Sequence, residues 1–226
     1  MQIAHNLNNI KFQLPAHVTL VAVSKTKPVH YLMEAYNAGQ RIFGENYVQE
    51  LVEKHQELPK DIQWHFIGHL QSRKVKLIAP FVSLIHGVDS LKLLQEINKQ
   101  AEKNNRVIDC LLQVFIADEE TKFGFDEKEL AEILSSDEFQ KLKNIKIVGL
   151  MGMATFTENK DQIEKEFNHL KTIFDKLNTS NLKLEILSMG MSGDYQLAIS
   201  CGSTMVRIGS SIFGSRSPLT PEGGTL

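Results

Sequence analysis

A lysine two residues past an apolar run is the first place where residue type and position suggest chemistry. Val18 to Val23 reads as a β-strand, and Lys25 follows it. Period-two alternation puts Thr19, Val21, Val23 and Lys25 on one face. If that face looks into a closed sheet, the ammonium stands at the strand's C-terminal end, where barrel active sites sit. Burial there favours the neutral amine. A neutral amine attacks an aldehyde to form a Schiff base. The plainer alternative is a lysine paired with a carboxylate or reaching solvent at a rim. The opposite parity points it outward among helices.

Two glycine- and serine-rich strings occur late in the chain. Ser188-Met189-Gly190-Met191-Ser192-Gly193-Asp194 follows one β-type run, and Gly209-Ser210-Ser211 follows another. Glycines let backbone N–H groups approach an anion closely, and serine hydroxyls add donors. A helix starting near Asp194 adds its positive end. Ordinary loop chemistry also produces such strings. Their place after the last two strands of eight is where barrels often hold phosphate.

Arg207 interrupts the apolar run Met205-Val206-Arg207-Ile208. Its guanidinium needs an acceptor, because it does not readily discharge. A cofactor ring nitrogen, a phosphate or a glutamate would serve. In Phe43-Gly44-Glu45-Asn46, Asn46 could bond a ring substituent and Glu45 could neutralise Lys25 or Arg207; turn chemistry also accounts for both. His65 and His69 are four apart but cross a strand end, so no metal site is expected. Cys110 and Cys201 make neither a disulfide framework nor a zinc site. The methionines of Leu150-Met151-Gly152-Met153 read as core filler or a cofactor wall.

The elements that must position these residues alternate regularly. Strands are expected at Val18–Val23, Arg41–Gly44, Gln63–Ile67, Val82–His86, Val107–Phe115, Ile145–Leu150, Leu184–Leu187 and Met205–Ile208. Helical patterns lie between them. They include one capped by Asp89 or Ser90 with Leu91, Leu94 and Ile97 on one face, and Lys160–Leu177 with Ile163, Phe167, Leu170 and Phe174 in register. Eight strands alternating with helices argue a parallel sheet, closed most naturally into a (β/α)8 TIM-type barrel. An open doubly wound sheet is the rival, but no Gly-x-Gly-x-x-Gly loop follows the first strand.

The chain has 226 residues, which suits one barrel domain over 1–226, with Ser215 to Leu226 as a loose end. Apolar residues make up 42%, and 25 basic residues nearly balance 27 acidic ones, for a formal charge of -2. No like-charge block favours nucleic acid or a membrane surface. No leader or apolar span is visible, so a reduced cytoplasmic protein is expected.

Taken together, the strings resemble the pyridoxal-phosphate homeostasis protein family. The matching segments are Val21-Ala22-Val23-Ser24-Lys25-Thr26, Phe43-Gly44-Glu45-Asn46 and Trp64-His65-Phe66-Ile67-Gly68-His69-Leu70-Gln71. They continue with Glu120-Thr121-Lys122-Phe123-Gly124, Leu187-Ser188-Met189-Gly190-Met191-Ser192, Val206-Arg207-Ile208-Gly209 and Ile212-Phe213-Gly214. The resemblance implies a barrel like the N-terminal domain of alanine racemase, with pyridoxal 5'-phosphate (PLP) on Lys25. It implies Arg207 facing the pyridine nitrogen, Asn46 beside the ring, and Ser192, Gly209 and Ser210 on the phosphate. Arg73 and Gly87 depart from the family pattern, where Asn and Ser are usual. Neither touches the lysine or phosphate motifs.

The implied function is non-enzymatic: a monomer that binds PLP for vitamin B6 homeostasis and passes it to PLP-dependent apo-enzymes. An arginine at the pyridine nitrogen disfavours its protonation and weakens the ring as an electron sink. An amino-acid racemase is the alternative. It needs a second acid/base opposite the lysine, which in such racemases is a tyrosine from a partner's second domain, and that domain is not expected here. A barrel enzyme acting on a phosphorylated substrate without PLP is a third class.

Overall fold

In a computed structural model, which describes residues 2–117, 123–178 and 182–215, the chain begins with a helix, α1 (Gln2–Gln13). There follow β1 (Thr19–Val23), α2 (Val29–Asn37), β2 (Ile42–Glu45), α3 (Val48–Glu57) and β3 (Gln63–Phe66). A 3-10 turn, Ser72–Lys74, leads into α4 (Val75–Ile78), then β4 (Leu84–Val88), α5 (Leu91–Lys103) and β5 (Ile108–Gln113). The remainder is α6 (Glu127–Ser135), α7 (Asp137–Gln140), β6 (Ile145–Met151), α8 (Lys160–Leu177), β7 (Ile186–Ser188), α9 (Tyr195–Ser200), β8 (Met205–Ile208) and α10 (Ser210–Phe213). Among the described residues the eight strands form one closed parallel barrel in sequence order. The closing pair is β1 with β8, with Val21 opposite Arg207. The closed barrel, not the open sheet, is therefore the architecture.

Alternation along the strands sorts the core into two layers. Val21, Leu84, Leu111, Val148 and Met205 pack together inside the barrel. Leu20, Ala22, Phe43, Trp64, Phe66 and Ile85 face the other way, into the shell of helices. There they meet Leu94 and Ile97 of α5 and Phe167 and Leu170 of α8. Enclosing each large side chain contributes about 1.5–3 kcal/mol relative to exposure, so a register slip of one residue would invert both layers.

Several boundaries differ from expectation for local reasons. β4 starts at Leu84 rather than Val82, because the Val82 carbonyl accepts from the Arg106 guanidinium. β5 ends at Gln113: the Val114 N–H still donates to the Met151 carbonyl of β6, but the Phe115 N–H donates to the Phe125 carbonyl and the Phe125 N–H to the Gln113 carbonyl. Ser90 caps α5, its hydroxyl accepting from the Leu93 N–H, and the buried face uses Leu93 rather than Leu91. α1, α7 and α10 were not expected as helices. α1 buries Ile3, Leu7 and Ile10, and Asn6 donates to the Ile212 carbonyl of α10. The expected loose end lies outside the described residues beyond Ser215.

Candidate functional site

The alternation expected for β1 holds. Val21 lies in the inner cluster, and Val23 and Lys25 line a cavity of about 470 Å³ at the C-terminal end of the barrel. Lys25 is half-buried in its wall rather than enclosed. On β2, Phe43 packs outward while Asn46 lines the same cavity. Asn46 Oδ1 is buried and has no hydrogen-bond partner. From β8 and the loops after β7 and β8 come Arg207, Met191, Ser192, Gly209 and Ser210. The structure thus brings all six sequence-predicted site residues to one cavity.

Glycine at 209 allows a close approach to β1. A Cβ there would lie 3.0 Å from the Val23 carbonyl oxygen and 3.2 Å from Val23 Cβ. Its absence lets the exit of β8 lie against β1, so the Gly209–Ser210 turn shares a wall with Lys25. The Gly209 N–H donates to Ser192 Oγ at 3.3 Å, joining the two late loops. One expected element is altered: Asp194 Oδ1 accepts from the Met191 N–H, so the start of α9 carries a carboxylate.

Arg207 is buried and anchored from below. It donates to the Ser188 carbonyl at 2.9 Å, to Ser188 Oγ at 2.6 Å and to the Gly152 carbonyl at 3.1 Å. Carbonyls and a hydroxyl supply its acceptors, not a glutamate. Burial lowers the guanidinium to about 10, with the Asp194 carboxylate opposing, so it stays charged at neutral pH. Ser188 Oγ lies 3.2 Å from His86 Nδ1, and His86 Nε2 lies 3.0 Å from His65 Nδ1. Burial depresses His65 to about 3 and holds His86 well below the usual imidazole range, with His65 and Arg207 adding to the effect. Both rings are neutral at pH 7. His86 was not foreseen, although alternation along β4 could have placed it inside, and Ser188, expected within an anion-binding string, instead supports Arg207.

Among the described residues lining the cavity, every ionisable one is basic: Lys25, Lys27 and Arg207. Lys27 also donates to the Ser215 carbonyl at 2.9 Å. Val23, Ile67, Met153 and Met191 add apolar wall, and Phe156 at the mouth is almost fully exposed. Cationic and hydroxyl donors, an apolar slot and an unpaired amide oxygen suit an aromatic phosphate monoester.

Other expectations resolve differently. Glu45 neutralises neither Lys25 nor Arg207. It points outward from β2 and accepts from Lys54 Nζ at 2.7 Å and Ser24 Oγ at 2.6 Å. Burial raises its carboxyl to about 7, against the pull of Lys54. His69 sits apart from His65, stacked on Phe123 and 3.1 Å from Asp89. No group of potential metal ligands occurs among the described residues. Arg73 donates to Gln71 at the surface. Gly87 marks a close backbone approach, since a Cβ there would lie 2.5 Å from the Gly68 carbonyl oxygen. Glu120, Thr121 and Lys122 lie outside the described residues. Among the described residues no helix is long and apolar enough to cross a membrane.

Comparison with known proteins agrees with this fold. The family described as alanine racemase, N-terminal domain, matches residues 1–217. The Haemophilus influenzae protein named pyridoxal phosphate homeostasis protein is 38% identical, over 98% of this chain and 99% of its own. The structure of PipY from Synechococcus elongatus with PLP bound superposes with a TM-score of 0.87 at 37% identity, over 94% of this chain and 100% of PipY. An alanine racemase from Clostridium difficile, in complex with cycloserine, shares the fold at a TM-score of 0.79 and 21% identity, over 96% of this chain and 60% of its own. The chain belongs to the pyridoxal phosphate homeostasis protein family.

Proposed function

We propose that this chain binds PLP covalently through Lys25 Nζ and serves to hold and hand over the cofactor for vitamin B6 homeostasis, without catalysed turnover. The observation that carries this reading is convergence. Lys25 from the exit of β1 and Arg207 of β8 line one cavity with Asn46 and the Ser192, Gly209 and Ser210 turns. Its volume suits a small cofactor. When bound, PLP supplies an aldehyde carbon that condenses reversibly with a primary amine.

Each residue has a distinct part. Ser192, Gly209 and Ser210 grip the phosphate, aided by the cationic wall. Asn46 holds a ring substituent, which would satisfy its buried oxygen. Arg207 faces the pyridine nitrogen, and its positive charge disfavours ring protonation. That electrostatic setting suits a carrier rather than a carbanion-forming enzyme. Racemisation would need a second proton carrier across the ring from Lys25. Among the described lining residues the other amine is Lys27, on the same β1–α2 connection as Lys25. The reading extends to PLP-dependent apo-enzymes as recipients, and to a monomer working in the cytoplasm.

The test is spectroscopic and chemical. Purified protein is expected to be yellow or to become so with PLP, and borohydride should fix the label on Lys25. Lys25→Ala should lose that label; equal covalent labelling of the variant would end the assignment. Cα–deuterium exchange into common amino acids should be absent, and robust exchange would favour the racemase. A protein that takes up no PLP chromophore would point to the third class, a barrel acting on a phosphorylated substrate.

A further inference from the structure

Behind the cavity wall, on the helix side of the barrel, lies a buried ionic cluster outside the binding residues named above. Lys54, on α3, is almost completely enclosed, and so is Glu45. Its Nζ donates at 2.7 Å to three acceptors: the Ser24 carbonyl, Glu45 Oε1 and Glu50 Oε1. An ammonium has three hydrogens, so its donor capacity is full. The same cluster takes hold of both neighbours of Lys25. Ser24 Oγ donates to Glu45 Oε1 at 2.6 Å, and the Thr26 N–H donates to Glu50 Oε1 at 2.6 Å.

Thr26 sits in the left-handed region, with φ of 62°. A β-branched residue there is unfavourable and persists only where its surroundings hold it. Glu50 supplies that hold. Alternation explains the division of labour: Ser24 and Glu45 point outward to the cluster, while Val23, Lys25 and Asn46 line the cavity. A buried ion pair is a weak device for stability alone, since apolar residues of similar volume often serve as well. Fixing a backbone segment through several directed bonds is a task apolar contacts do poorly.

We propose that Lys54, Glu45 and Glu50 are positioning residues that clamp Ser24 and Thr26 so that the Lys25 amine is presented to the cofactor's aldehyde. This rests on the reading that Lys25 carries PLP. The clamp bonds to Ser24 and Thr26, on either side of the amine, and not to the phosphate grip, which is supplied by the loops after β7 and β8. Loosening it therefore weakens condensation while leaving phosphate binding intact.

Two ligands separate these effects: PLP, and pyridoxine 5'-phosphate, which has an alcohol in place of the aldehyde and cannot condense. Glu50→Ala, at a partly exposed position, and Lys54→Met are each expected to weaken PLP binding by about tenfold, the scale of one charged hydrogen bond. Affinity for pyridoxine 5'-phosphate should stay within about twofold. Glu50→Gln keeps an acceptor for Thr26 and should restore PLP affinity to within about threefold of the parent. Should Lys54→Met fail to fold, the two Glu50 variants decide. Unchanged PLP affinity in Glu50→Ala overturns the clamp, and so does equal loss of both ligands. Lys25→Ala runs alongside: if it still takes the borohydride label, the Lys25 reading itself has failed, a result distinct from either.

Discussion

Arg207 of β8 donates to Ser188 Oγ on neighbouring β7 at 2.6 Å, and Ser188 lies 3.2 Å from His86 across the barrel. The one buried guanidinium in the cavity wall is thus tied to a pair of neutral imidazoles beneath it. The link gives Arg207 both a structural and an electrostatic part, and the two can be separated.

Arg207→Met removes the donor that satisfies the Gly152 carbonyl, while the Ser188 carbonyl keeps the Gly152 N–H. A buried polar group left without a partner costs about 1–3 kcal/mol. Chemical denaturation should show a loss of that order in the PLP-free protein. The absorption band of bound PLP should also move, because the charge at the ring nitrogen is gone. A band at the parental wavelength would remove the proposed ring contact, and unaltered stability would remove the structural part.

The imidazole pair sets an acid limit. His65 is held near 3 when folded and returns to about 6.5 when unfolded. The unfolded chain takes up a proton that the folded chain refuses. The contribution is therefore complete above about pH 6.5 and is lost as pH falls towards 3. His86 acts in the same direction. Denaturant titrations across this window should show stability falling with pH. His65→Gln should flatten the slope by up to about 1.4 kcal/mol per pH unit, the value for one proton. An identical slope would contradict the assignment.

Asn46 offers a case where binding and stability part company. Its Oδ1 is buried without a partner. Asn46→Ala removes that unsatisfied oxygen, so the melting temperature of the PLP-free protein should hold or rise. PLP affinity should fall by about tenfold, the worth of a hydrogen bond formed in a buried site. Parallel loss of both would show that Asn46 supports the fold instead.

Gly209→Ala drives a methyl group against Val23. Overpacking of this kind costs about 1–3 kcal/mol, and β1 must shift to accept it. The shift displaces the Gly209–Ser210 turn, so PLP should suffer more than pyridoxal, which lacks the phosphate. Competition between the two ligands measures the difference. Equal losses would place the phosphate elsewhere.

Much of this site was legible from position along strands. Alternation put Lys25 on one face with Val21 and Val23, and the closed barrel turned that face inward; the same period, once closed, sends Glu45 out and Asn46 in. The glycine and serine strings announced themselves by composition. The pairing of Glu45 with Lys54 was not legible, because the two meet only when α3 packs against β2. α1 was missed for a similar reason: three apolar residues spaced along a polar helix become a buried face only once α10 lies beneath them.

The sequence by itself determined the eightfold alternation, the shared face of Val21, Val23 and Lys25 and the two late anion-type loops, because each rests on local period and residue type. Only the tertiary structure decided that β8 closes on β1, which sets Arg207 beside Val21 and brings the loops to the lysine. It also decided that His65, His86 and Ser188 support the arginine. Such contacts join strands far apart in the chain, and their geometry exists only after the sheet has curled shut.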